Sequence, residues 1–158
     1  MVKAVVMTDP DQPAGGRFVG GTHRFPLRIY FEDTDLSGVV YHANYLRYLE
    51  RARSDMLRLA GIDQRAAQEA GEGAYAVRSM QIDWRAPARL NDALVVVSTV
   101  ERVRAAAVDI QQSVIRDDLL LASARVEVAF VAPNGRPRRQ PAAWVDTFAA
   151  LVATDKGA

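Results

Sequence analysis

The chain has no cysteine. That excludes a disulfide framework, a thiol nucleophile and any metal site built on thiolates. An excess of charge of one sign is missing too. The formal net charge over 158 residues is +1, so nothing points to nucleic acid as a partner. No apolar run approaches the roughly 18 residues that a transmembrane helix needs, so no membrane span is expected. The segment from Val2 to Met7 is too short and too weakly flanked to read as a signal peptide. Together with the missing cysteine, this makes a cytoplasmic location the expectation. Histidine is scarce, with His23 and His42 alone. Repeats and low-complexity segments do not interrupt residues 24–150.

What is present is an ordinary globular composition, 49% apolar and 25% charged, in a length that suits one domain with a real core. Residues 1–21 carry Pro10, Pro13, Gly15, Gly16, Gly20 and Gly21 without a sustained period, and read as a flexible N-terminal extension. Residues 22–152 then form the single domain, and residues 153–158 a short C-terminal tail. Within the domain, a strand is expected over 24–31. A helix follows over 43–60, with Leu46, Leu49, Ala52, Arg53, Met56, Leu57 and Ala60 at helical spacing and Gly61 at its end. A short helical turn is expected over 63–70. From Ala74 the period becomes two, with strands over 75–84, 94–103, 106–116 and 119–131 separated by turn chemistry. Pro141 then opens a last amphipathic helix with Trp144, Val145, Phe148 and Leu151 on its buried side. The fold class is therefore α+β: an antiparallel sheet of about five strands and one long helix.

Between the first strand and the long helix lies Asp33-Thr34-Asp35-Leu36-Ser37-Gly38-Val39-Val40-Tyr41-His42-Ala43-Asn44-Tyr45. An acidic loop running into a helix N-terminus aims free backbone N–H groups at whatever the loop holds. Asp35 could then attack a carbonyl or deprotonate water while the helix amides stabilise an oxyanion. The same residues also fit a plain capping arrangement, with Asp33 and Asp35 closing a turn and His42 or Asn44 capping the helix. His23 has no evident role.

The run Asp33-Thr34-Asp35, Gly38 to Tyr45, and Glu50-Arg51-Ala52-Arg53 resembles the signature of hot-dog-fold acyl-CoA thioesterases. It is most similar to the 4-hydroxybenzoyl-CoA thioesterase-like family, in its branch associated with the Tol–Pal cell-envelope operon. The resemblance spans about residues 24–150. It implies a curved sheet wrapped around the long helix and hydrolysis of short-chain or aromatic acyl-CoA, without metal or other cofactor. It makes Asp35 the catalytic nucleophile or general base. The backbone amide near His42 becomes the oxyanion donor, and the His42 side chain assists. Gly38, Val40, Tyr41, Asn44 and Tyr45 are the implied substrate-binding set, Glu50 is a fallback base, and Asp33 is structural. Arg85, Arg89, Arg136, Arg138 and Arg139 are candidates for the CoA phosphates. The resemblance also implies a homodimer or homotetramer with active sites at the subunit boundary. There is one departure: members of that branch can carry a Tyr four residues before the catalytic Asp, where this chain has Phe31. Two other readings stay open at this point. One is an acyl–acyl-carrier-protein thioesterase; the other is a non-catalytic acyl-CoA-binding or cell-envelope interaction module.

Overall fold

The computed structural model describes residues 9–156. Residues 1–8 of the expected extension and 157–158 of the expected tail lie outside the described residues. The strands are β1 (Arg17–Val19), β2 (Thr22–Arg28), β3 (Ala74–Trp84), β4 (Ala93–Val103), β5 (Ala107–Arg116) and β6 (Leu119–Val131). The helices are α1 (Asn44–Leu59), α2 (Gln64–Glu69) and α3 (Ala142–Lys156). All six strands form one sheet in the order β1-β2-β4-β5-β6-β3, and every pairing is antiparallel.

The sheet has one strand more than expected, because Arg17–Val19 folds back on β2 across a two-glycine turn. Segment 9–21 is therefore in part built into the sheet. Gly16 shows why a glycine-rich stretch is needed there. A Cβ at Gly16 would stand 2.4 Å from the Arg24 carbonyl oxygen and 2.8 Å from Asp55 Oδ2. At the other end, α3 runs through Lys156, so residues 153–156 continue the helix.

Helix α1 buries Tyr45, Tyr48, Leu49, Ala52 and Met56 against one face of the sheet. These positions follow the three-and-four spacing of a single stripe. The stripe is rotated from the expected one: Leu46 is exposed, and Tyr45 and Tyr48 fill the core in its place. Facing them are Leu94, Val96, Val100, Ile110, Val114, Ala124 and Val126, contributed at alternate positions by β4, β5 and β6. Each fully buried Leu, Val or Met contributes roughly 1.5–3 kcal/mol relative to exposure. This packing fixes the axis of α1, and with it the place of its N-terminus. Phe148 of α3 closes the same core.

Strand β2 ends at Arg28, earlier than the expected 31. Ile29 leaves the ladder to exchange backbone bonds with the next turn, donating to the Asp92 carbonyl and accepting from the Asn91 N–H. A single turn of 3-10 helix over Phe31–Asp33 follows. Tyr30 and Phe31 consequently both face solvent.

Candidate active site

Asp33 organises the approach to α1. It is buried, and its Oδ2 accepts the Tyr30 N–H at 2.7 Å while its Oδ1 accepts the Asn44 side-chain amide at 2.7 Å. Its backbone carbonyl accepts the Tyr41 N–H at 2.9 Å. One short acid thus ties the start of the loop to the start of the helix, which is the structural role expected of it. Between these anchors, Thr34 and Val40 bridge, and the Asp35 N–H donates to the Val39 carbonyl. Gly38 sits at φ +80° with open space where a Cβ would stand. Its contribution is therefore the left-handed turn and not a close approach.

Asp35 projects from this tight loop into solvent. Its Oδ1 accepts the Ser37 N–H at 2.8 Å and also the Ser37 hydroxyl. Its Oδ2 has no partner among the described residues. The Ser37 hydroxyl and N–H hold the Asp35 carboxyl below the ordinary carboxylate value, and the nearby His42 charge adds to this. The group is an ionised carboxylate with one oxygen tethered and the other free.

Helix α1 begins without a side-chain cap, since neither His42 nor Asn44 supplies one. The Asn44 amide turns instead to Asp33 and to the Tyr48 hydroxyl. The N–H groups of His42 and Ala43 have no acceptor among the described residues. One loop thus carries a carboxylate with a free oxygen and runs into a helix start with unpaired donors. Attack on a carbonyl draws on groups of these two kinds.

The remaining expected residues divide. Gly38, Tyr41 and His42 are open to solvent, Val40 and Tyr45 are core residues, and the amide of Asn44 is engaged. Burial pushes the Tyr45 hydroxyl up, which keeps it neutral. Glu50 pairs with Arg53 and approaches Ser54, beside a small separate slot lined also by Leu57, Val77, Ile110 and Phe148. Arg53 itself is buried, and donates to Gln112 at 2.9 Å. Arg138 donates to the carbonyls of Gly71 and Glu72, which makes it a loop fastener. Arg85 and Arg89 are exposed on the segment that follows β3. That segment reaches the site through Ala88, whose carbonyl accepts the Val40 N–H at 2.8 Å.

Two residues have roles that sequence reading did not assign. Trp84, at the end of β3, donates from Nε1 to the His42 carbonyl at 3.2 Å. Nothing local to Trp84 signals this, because the contact spans 42 positions of the chain. His23 is fully buried and bonds Asp55 at 2.7 Å. A signal for it exists: His23, Phe25 and Leu27 alternate along one face of β2.

The thioesterase-like superfamily matches the chain over residues 29–151. The acyl-CoA thioesterase YbgC of Haemophilus influenzae is 42% identical over 107 residues, which cover 68% of this chain and 79% of that protein. The acyl-CoA thioester hydrolase YbgC of Escherichia coli is 39% identical over 127 residues, covering 79% of this chain and 94% of that one. A crystal structure of a probable thioesterase from Bartonella henselae matches with a TM-score of 0.73 at 36% identity, over 76% of this chain and 99% of that chain. The loop, α1 and β3 to β6 all fall inside the matched residues, and the chain belongs to the thioesterase-like superfamily, with its hot-dog fold.

Proposed function

We infer that the protein hydrolyses acyl-CoA thioesters to the free acid and CoA. Membership of the thioesterase-like superfamily and relatives at 39–42% identity named as acyl-CoA thioesterases support the reaction. The observation that carries the site is the ionised Asp35, with Oδ2 free, on the loop that leads into an uncapped helix start. In this reading Asp35 acts on the thioester carbonyl as nucleophile or as base toward water. The His42 N–H takes the developing oxyanion, and the His42 imidazole assists the proton movements. A thioester suits so modest an apparatus, since its carbonyl is less resonance-stabilised than an amide and its thiolate leaves readily. Gly38 and Tyr41 line the approach, and the exposed Arg85 and Arg89 take phosphate groups of CoA. We further propose a short-chain or aromatic acyl group, a dimeric or tetrameric assembly with the site at a subunit boundary, and a cytoplasmic reaction linked to the Tol–Pal system.

The test is steady-state release of CoA from a panel of short-chain and aromatic acyl-CoA esters, with Asp35→Asn beside the wild type. The amide keeps the shape and Ser37 contacts but cannot attack or accept a proton. Turnover should fall by about 10³-fold or more while the fold is kept. An Asp35→Asn variant with wild-type turnover would remove Asp35 from the mechanism. Tight binding of CoA esters without turnover in the wild type would favour a binding module.

A further inference from the structure

The indole of Trp84 is held unusually for a large aromatic side chain. It stands on the last residue of β3, and 46% of it remains exposed, so its area adds little to the core. Its polar atom is nonetheless committed, because Nε1 donates to the backbone carbonyl of His42 at 3.2 Å. Its ring meets the His42 imidazole edge to face, with centroids 5.7 Å apart and planes at 82°. Tyr41 contacts the imidazole as well, at 4.7 Å and 63°. The imidazole is therefore packed by two aromatic rings, one from its own loop and one from the sheet.

The carbonyl that Trp84 binds belongs to the planar peptide unit whose N–H is that of Ala43. Fixing the carbonyl fixes the plane, and so sets the direction of that N–H. A hydrogen bond onto a peptide carbonyl also polarises the unit and strengthens its N–H as a donor. The Ala43 N–H and the neighbouring His42 N–H are donors at this helix start without an acceptor among the described residues. No side chain caps α1 to hold them in place. For the Ala43 N–H, the bond from Trp84 supplies that restraint from across the chain.

We infer that Trp84 is a positioning residue of the thioesterase site, holding the His42–Ala43 peptide and the His42 imidazole in the orientation used at the thioester carbonyl. The inference rests on the reading of Asp35 and the start of α1 as the reactive site. Trp84 acts through His42 and need not touch the reacting atoms.

The experiment measures kcat and KM for hydrolysis of one turned-over acyl-CoA ester by the full-length Trp84→Phe and Trp84→Ala variants, with thermal unfolding of each. Trp84→Phe keeps an aromatic ring but removes the N–H. It should lower kcat about tenfold with KM nearly unchanged, since a loosened donor loses part of what a deleted one would. Trp84→Ala also frees the imidazole and should lower kcat by roughly a hundredfold, with a changed pH profile. Because the side chain is half in solvent, the unfolding midpoint of Trp84→Phe should stay near that of the wild type, which separates positioning from folding. Wild-type kcat in Trp84→Phe, or a change confined to KM, would overturn the inference. Asp35→Asn run alongside distinguishes the two levels. If it is inactive while Trp84→Phe is normal, only the role of Trp84 fails; if it is active, the site reading fails with it.

Discussion

At the residue scale, Asp35 is defined by its neighbour two positions on. Ser37 gives both its N–H and its hydroxyl to one carboxylate oxygen, and these bonds favour the charged form. Ser37→Ala removes the hydroxyl and leaves the backbone donor, so the Asp35 pKa rises toward the ordinary carboxylate value. The sign follows directly: a base with a lower pKa stays ionised to lower pH, so losing the hydroxyl moves the acid limb of kcat/KM upward. A pH–rate profile of Ser37→Ala against wild type checks this, and superimposable acid limbs would mean that Asp35 ionisation does not control the rate. Short-range chemistry of this sort is legible in sequence, because an acid followed by Ser two residues later is a common local pairing. The contribution of Trp84 is not legible, because it depends on where the end of β3 lands beside the loop.

At the element scale, the β1–β2 hairpin is fastened to α1 through one carboxylate. Asp55 Oδ2 meets His23 Nε2 at 2.7 Å and accepts the Gly16 N–H at 2.9 Å, and Arg58 pairs with Oδ1. Phe18 lies edge-on to His23 and Phe25 stacks on it, while His23 Nδ1 is buried with no partner among the described residues. Burial lowers the His23 pKa, and the Asp55 carboxylate offsets this only in part. The folded chain therefore resists a proton that the unfolded chain accepts at about pH 6.5. Above that pH both states are neutral at His23 and no stability is lost. As pH falls below it, stability declines until the lowered folded value is reached. Thermal melts from pH 7.5 down to 5 should show this slope in the wild type and a flatter one in His23→Gln, which keeps a donor but cannot titrate. Equal slopes would place the titration elsewhere. The helices and the four long strands could be read from periodicity, since each has enough residues for a pattern to repeat. Strand β1 could not, because three residues between glycine pairs carry no period and pair only when β2 and α1 are in place. Residues before 29 also precede the superfamily match.

At the scale of the whole molecule, the sheet ends on an uncovered edge. Strand β3 pairs with β6 along one side, and its other side has no strand partner among the described residues. Val77 and Trp84 on this strand are exposed, as are Phe31, Leu36 and Tyr41 on the loop between β2 and α1. Leu36 in particular stands wholly in solvent at the tip of the loop. Uncovered strand edges and clustered apolar side chains are normally shielded, and a second copy is the economical cover. Antiparallel pairing of β3 with its own copy would extend the sheet and bring the Trp84 end of each strand toward the other subunit. It would also place Ser79, the middle residue of β3, near its own copy across the twofold axis. Ser79→Glu then sets two like charges side by side, which opposes pairing in a sheet. Sedimentation should show self-association in the wild type weakened several-fold in the variant. If the partner copy supplies a wall of the proposed site, turnover per chain should fall on dilution in step with dissociation. A wild-type monomer with full turnover per chain would show that one copy holds a complete site, and the apolar cluster around Leu36 would then need another occupant.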